Sequence, residues 1–251
     1  MKDCIGIIPA RYASSRFPGK PLVEIHGKTM IRRVYEQASK SSALVRVIVA
    51  TDDERIAKEV ESFQGEVFMT SNNHQTGTDR CAELISRHFP NLKGDEVVIN
   101  IQGDEPFIDP QQINHLADCF LDRDVRLATL VKSFYHADEV LNPNTIKVVC
   151  NIKGLALYFS RLPIPFDRDG SGASPDLKKY LRHIGIYGYR ASTLLEISGL
   201  ATTMLEDTEK LEQLRWLEHG YNIMTARSDH ESWSIDTPED LKKVKEHFSG
   251  Q

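Results

Sequence analysis

Cys4-Ile5-Gly6-Ile7-Ile8-Pro9-Ala10-Arg11-Tyr12-Ala13-Ser14-Ser15-Arg16-Phe17-Pro18-Gly19-Lys20-Pro21 is an apolar run that breaks into a loop carrying three cations. Apolar segments of this length, bounded by turn residues, read as interior strands. The Pro and Gly residues that follow hold a loop rather than a helix. Arg11, Arg16 and Lys20 therefore emerge together at a strand's carboxyl end, the edge at which open α/β sheets bind ligands. Two guanidiniums and an ammonium suit a polyanion such as a triphosphate, through charge-assisted hydrogen bonds. A solvated basic surface loop has the same composition, so the rest of the chain must decide between them.

Beyond the loop, Ile31, Val34, Tyr35 and Ala38 fall on one helical face. Val45 to Ala50 is a second buried strand ending in Thr51-Asp52-Asp53, and Ile56, Val60 and Phe63 form another helical stripe. This alternation predicts parallel βαβ units. Glu66 to Thr70 reads as a third strand, Thr78 to His88 as a helix, Val97 to Ile101 as a strongly β-prone strand, and Pro110 to Leu121 as a helix. From Arg126 the character changes. Strand-like runs at Arg126 to Phe134, Ile146 to Asn151, Ala156 to Ser160 and Arg182 to Tyr189 have few helical stripes between them. The expected fold is α/β, a mostly parallel doubly wound sheet with a smaller antiparallel insertion in the second half. Thr208 to His219 reads as one helix stopped by Gly220, and Thr237-Pro238 as the cap and first residue of the last helix.

With 251 residues, 40% hydrophobic and 27% charged content, and a net charge of -5, the chain has the profile of a soluble globular protein. Nothing draws the whole molecule to nucleic acid or to an anionic membrane. No segment reaches the roughly 18 apolar residues of a membrane span. Met1-Lys2-Asp3 leads straight into a strand without a secretory pattern, so a reduced, cytoplasmic setting is expected. Cys4, Cys81, Cys119 and Cys150 form no C-x-x-C pair, which argues against a zinc knuckle or a redox motif.

Two nucleotide signatures are excluded. Gly27-Lys28-Thr29 ends like a P-loop, but Leu22 stands where the first glycine is required, and no G-x-G-x-x-G follows the first strand. The GKT is read as a turn. Asp104 and Glu105, at the carboxyl end of the Val97 to Ile101 strand, suit Mg²⁺ together with phosphate oxygens, or cap the turn before Pro106. Asp52 and Asp53 precede a helical stripe and read as caps. His183, Gly185, Tyr187 and Tyr189 share one face of their strand, opposite Ile184 and Ile186. That face suits a polar ligand or a half-exposed aromatic surface. Glu212 and Gln213 lie off the Leu211, Leu214 and Leu217 stripe and read as solvated, and Asp236 alone reads as a residue at a helix start.

Taken together, these runs resemble a known family. Ile8-Pro9-Ala10-Arg11 through Pro18-Gly19-Lys20-Pro21-Leu22, His74-Gln75-Thr76-Gly77-Thr78-Asp79-Arg80 and Asn100-Ile101-Gln102-Gly103-Asp104-Glu105-Pro106 resemble the signature runs of 3-deoxy-manno-octulosonate (Kdo) cytidylyltransferases. So do Tyr158-Phe159-Ser160-Arg161, Arg182-His183-Ile184-Gly185-Ile186-Tyr187-Gly188-Tyr189-Arg190, Leu211-Glu212-Gln213-Leu214-Arg215 and Asp236-Thr237-Pro238-Glu239-Asp240-Leu241. The likeness covers nearly the whole chain in order. The strand from His183 to Arg190 and the helix from Leu211 to Arg215 make it specific within the wider sugar nucleotidyltransferases.

The resemblance implies a nucleotidyltransferase that joins CTP and Kdo into CMP-Kdo, releases pyrophosphate and uses Mg²⁺. It implies a single cytidylyltransferase domain over 1-251, with a strand-rich dimerisation and sugar-binding subregion at about 126-190, and a homodimer. By position, Arg11, Lys20 and Asp104 match catalytic residues, and Arg11, Arg16 and Lys20 the triphosphate loop. Pro9, Ala10, Gly77, Thr78, Arg80 and Gln102 match the rest of the nucleotide site. Gln102, Arg161, His183, Tyr187, Glu212 and Gln213 match the Kdo site, with Arg161 expected on the sugar carboxylate. Asp104 and Asp236 match the metal-holding carboxylates.

Overall fold

The computed structural model of the protein describes residues 4–13, 17–92, 94–170, 175–231 and 233–248. The opening run forms β1 (Cys4–Ala10), buried along almost its whole length. A strand without polar alternation requires cover on both faces. β2 (Glu24–Ile25) and β3 (Lys28–Thr29) make a small hairpin, with His26 and Gly27 in the left-handed region at its tip. Of the GKT segment only Gly27 is in the turn, since Lys28 and Thr29 continue as β3, and Thr29 caps α1 (Met30–Ala38) by accepting from Arg32 N.

β4 (Leu44–Thr51), α2 (Glu54–Ser62), β5 (Glu66–Met69), α3 (Gly77–His88), β6 (Val97–Asn100) and α4 (Pro110–Asp118) follow, so the alternation read from the first half is present. The second half supplies β7 (Leu127–Ser133), α5 (Ala137–Leu141), β8 (Lys147–Cys150), β9 (Ala156–Ser160), β10 (Leu181–Arg190), α6 (Ala191–Ser198), α7 (Met204–Glu209), α8 (Glu212–Glu218), β11 (Met224–Arg227) and α9 (Pro238–His247). The main sheet runs β11-β7-β10-β6-β1-β4-β5. β1 is parallel to β4 and β6, and β4 to β5, whereas β10 is antiparallel to both β6 and β7. β11 is parallel to β7, so among the described strands of this path β10 alone is reversed. The expected antiparallel component is this reversed strand together with the β8–β9 hairpin paired to its edge.

Both faces of the sheet are covered. α1, α2 and α4 place Ile31, Val34, Ile56, Val60, Ile113 and Leu116 on one side. α3, α6 and α8 place Leu84, Ile85, Leu194, Ile197, Leu214 and Trp216 on the other. Each such burial contributes about 1.5–3 kcal/mol, and the helices thereby fix which strand ends open to solvent.

The helix expected over Thr208 to His219 is broken. Lys210 takes φ 52° and ψ 48°, ending α7, and α8 restarts at Glu212. The cause is tertiary. Arg161 Nε donates to Glu209 O at 2.7 Å and its Nη2 to Lys210 O at 3.4 Å, while the Glu209 carboxylate accepts from Ser160 Oγ and Arg161 N. These bonds take up the carbonyls of residues 209 and 210 at the break, and Glu212 and Gln213 become the first turn of α8. Gln213 is buried and Glu212 half-buried, rather than solvated as their spacing suggested.

Candidate active site

The carboxyl ends of β1 and β6 lie side by side, and their loops touch. A Cβ at Gly103 would stand 2.9 Å from Pro9 O, so only a residue without a side chain permits this approach. Ile235 N donates to Asp104 O at 3.0 Å, which stitches the segment before α9 to the loop after β6. Asp236 is thereby brought beside Asp104. Lys20 Nζ joins the two, at 2.9 Å from Asp104 Oδ2 and 3.2 Å from Asp236 Oδ1. Arg11, with the backbone of Pro9 and Ala10, borders the same cleft, and Gly77 at the start of α3 closes it opposite. The first turn of α3 presents its free N–H groups there, as an anion or a base edge requires. Thr76 and Asp79 form a capping box that fixes this end.

Arg80 also borders the cleft, but its guanidinium is buried and bonded to Thr70 and, at 3.1 Å, to Asp52. Asp53 caps α2 as expected, whereas Asp52 serves this ion pair instead of a cap. His74 on the same wall is bonded to Glu83. Burial pushes the Glu83 carboxyl up, yet hydrogen bonds from Ser71 N, His74 and Arg87 outweigh it and hold it at about 2.

A second cavity adjoins the first and shares Gly77 and Gln102 with it. His183, Tyr187, Glu212 and Gln213 line it. On β10, His183, Tyr187 and Tyr189 pair with Val131, Thr129 and Leu127, with two extra residues, Gly185 and Ile186, bulged between Ile184 and Tyr187. Because two residues are inserted, side-chain parity survives, and the three rings share a face as the sequence predicts. The His183 and Tyr187 ring centroids are 5.3 Å apart, and Trp216 packs edge-on to Tyr187 at 5.1 Å. The Tyr187 hydroxyl is buried without a hydrogen-bond partner, a defect that costs about 1–3 kcal/mol. Burial keeps this phenol protonated and able to donate. Thr78 Oγ1 donates to Glu212 Oε2 at 2.8 Å, and burial raises the Glu212 pKa.

The chain matches the cytidylyltransferase family over residues 5–227. The 3-deoxy-manno-octulosonate cytidylyltransferase of Parabacteroides distasonis is 50% identical over 250 residues, 97% of each chain. That of Bacteroides thetaiotaomicron is 52% identical over 255 residues, 98% of each chain. This chain belongs to the 3-deoxy-manno-octulosonate cytidylyltransferase family. A solved structure of CMP:2-keto-3-deoxy-manno-octonic acid synthetase complexed with CTP is 42% identical and matches with a TM-score of 0.89 over 98% of both chains. The 4-diphosphocytidyl-2C-methyl-D-erythritol synthase of Anaerococcus prevotii, 12% identical with a TM-score of 0.63 over 99% of both chains, shares the fold.

In this cytidylyltransferase the structure brings Pro9, Ala10, Arg11, Lys20, Gly77, Arg80, Gln102, Asp104 and Asp236 to the first cavity. Thr78, His183, Tyr187, Glu212 and Gln213 come to the second. Arg16 lies outside the described residues. Arg161 departs from expectation, since it lines neither cavity. Its Nη1 donates to Pro143 O at 3.1 Å and its other nitrogens hold the 209–210 turn, so its donors are committed to carbonyls. Arg182 is the cation at the second cavity, paired with Glu139 at 3.2 Å. Its place beside His183 was the available signal, but strand alternation assigned it to the opposite face.

Burial and the Arg182 charge push the His183 imidazole down to about 3. The unfolded chain binds a proton there below about 6.5, so stability present above that pH is lost as pH falls from about 6.5 towards 3. His183→Gln is expected to flatten the fall of Tm with pH in that window, measured by thermal melts of both proteins. Parallel curves would contradict the assignment.

Proposed function

We propose that this cytidylyltransferase transfers the cytidylyl group of CTP to 3-deoxy-D-manno-octulosonate, giving CMP-Kdo and pyrophosphate for lipopolysaccharide biosynthesis. The observation that carries the reading is the wall shared by the two cavities at Gly77 and Gln102, one cavity charged for a triphosphate and the other lined for a polyol. An α-phosphorus held in the first is thereby within reach of a sugar hydroxyl held in the second. The anomeric hydroxyl attacks that phosphorus, and the bond to the pyrophosphate oxygen breaks in line.

Arg11 and Lys20 hold the triphosphate, with Arg16 given the same role by its motif. Pro9, Ala10, Gly77 and Arg80 frame the cytosine, whose small ring and amino group suit backbone readout, whereas Thr78, matched to the nucleotide site by its motif, lines the second cavity and donates to Glu212. Gln102, His183, Tyr187, Glu212 and Gln213 hold the sugar hydroxyls, and Arg182 replaces Arg161 as the cation for the sugar carboxylate.

Mg²⁺ fits the first cavity. Asp104 and Asp236 already converge on one positive charge, the Lys20 ammonium. Mg²⁺ takes one or two carboxylates plus phosphate oxygens, and no cluster of three protein ligands occurs among the described residues. Asp104 and Asp236 would hold the ion, which would supply positive charge against the phosphates and favour ionisation of the attacking hydroxyl. Lys20 and Arg11 then carry the charge of the leaving pyrophosphate.

No helix among the described residues is long and apolar enough to cross a membrane. We infer a cytoplasmic protein that uses neither nucleic acid nor membrane as partner, in keeping with small soluble substrates. Leu157, Leu162 and Phe166, exposed in the strand-rich 126–190 region, support a homodimer through that region of the single domain.

Pyrophosphate release across CTP and UTP, with Kdo, its 8-amino analogue and a sialic acid, with Mg²⁺ or EDTA, tests the reading. Turnover is expected with CTP and Kdo and to stop with EDTA. Turnover with sialic acid but not Kdo assigns another sugar acid, and CTP binding without pyrophosphate release assigns a noncatalytic nucleotide-binding module.

A further inference from the structure

We propose that Thr129 is a positioning residue for the sugar site: its hydroxyl fixes His183 as the Nε2-protonated imidazole, which presents Nδ1 in the second cavity as an acceptor for a substrate hydroxyl. The inference rests on the sugar-acid reading of that cavity. Thr129 is fully buried on β7, opposite the β10 bulge. Its Oγ1 lies 3.1 Å from Ile184 O, 2.8 Å from Ile186 O and 3.0 Å from His183 Nε2.

The hydroxyl has one hydrogen, and a carbonyl can only accept. Giving the hydrogen to Nε2 would leave two carbonyl oxygens facing a bare oxygen at hydrogen-bond distance, an electrostatic conflict in a buried site. Directed at a carbonyl, the hydroxyl offers a lone pair to the ring, and Nε2 must bring the proton. Nδ1 is then the basic nitrogen. It has no hydrogen-bond partner among the described residues, and His183 lines the cavity beside Tyr187. The low His183 pKa fits this arrangement, because Nδ1 then carries no second proton at neutral pH. The bulge itself has a purpose in this arrangement, since it turns Ile184 O and Ile186 O onto the same hydroxyl.

The test is nitrogen-15 NMR of the histidine rings in the whole protein, with steady-state kinetics of two variants. The wild type is expected to show the Nε2–H tautomer at His183. Thr129→Val, which keeps the shape without the hydroxyl, is expected to raise KM for Kdo about tenfold, leave KM for CTP within about twofold, and lose the tautomer signature. Thr129→Ser is expected to restore both. An Nδ1–H tautomer in the wild type overturns the proposal, as does an unchanged Kdo KM in a folded Thr129→Val. Should that variant fail to fold, the wild-type spectrum and Thr129→Ser decide, since a serine that loses the signature also overturns it. No wild-type turnover with Kdo overturns the reading of the site instead.

Discussion

Asp236→Asn is expected to lower kcat by about 10²–10³-fold while the Kd for CTP changes by less than about threefold. Asparagine keeps the size of the side chain and removes its charge. The backbone bond from residue 236 N to Asp240 Oδ2 at 3.1 Å does not depend on that side chain, so the start of α9 is retained. What is lost is one of the two carboxylates that converge on Lys20 and would hold the metal in the first cavity. Charge stabilisation there grows as the pentacoordinate phosphorus forms, so the loss falls on the transition state rather than on ground-state CTP. Titration calorimetry with CTP, set beside steady-state turnover, separates the two effects. Equal loss of binding and rate would remove Asp236 from the reacting centre.

Lys20→Ala is expected to reduce kcat/KM for CTP by about 10²-fold. Charge-assisted hydrogen bonds contribute about 1.5–3 kcal/mol each, and a P-loop-free triphosphate site relies on such side chains. The Lys20 side chain is only 15% exposed and bridges Asp104 and Asp236. Its removal therefore also leaves two carboxylates facing one another without their shared cation. The mutant is expected to fold, because β1 and the 3₁₀ turn that carries residue 20 are held by backbone bonds such as Val23 N to Lys20 O. Unchanged CTP affinity and rate would show that Lys20 braces the carboxylates without touching phosphate.

Much of the fold is legible in the sequence because the first half obeys local rules. Cys4–Ala10 is an unbroken apolar run and Val97–Asn100 is apolar up to Ile99, and Asp53, Asp109 and Thr237 are cap residues followed by helical stripes. The second half depends on contacts between distant segments. Nothing near Lys210 marks a helix break, which follows from the bonds that Arg161 and Ser160 make to Glu209 and Lys210. Met224–Arg227 is too short and too polar to announce a strand, and it is one because β7 offers a parallel edge.

The site divides in the same way. The basic loop and the Gln102 to Glu105 turn read as strand-end features, and the carboxylate pair waits on Ile235 N reaching Asp104 O. Residue-by-residue resemblance placed Glu212 and Gln213 at the sugar, where spacing alone had left them in solvent. It also placed Arg161 there, whereas the structure commits that guanidinium to backbone carbonyls and leaves Arg182 at the cavity.

The most direct measurement is phosphorus-31 NMR of the whole protein incubated with CTP, Kdo and Mg²⁺. The predicted result is equimolar growth of the CMP-Kdo phosphodiester and pyrophosphate signals, abolished by EDTA. Pyrophosphate appearing with free CMP and no phosphodiester, or CTP left unchanged, would contradict a shared wall at which the two cavities bring phosphorus and sugar together.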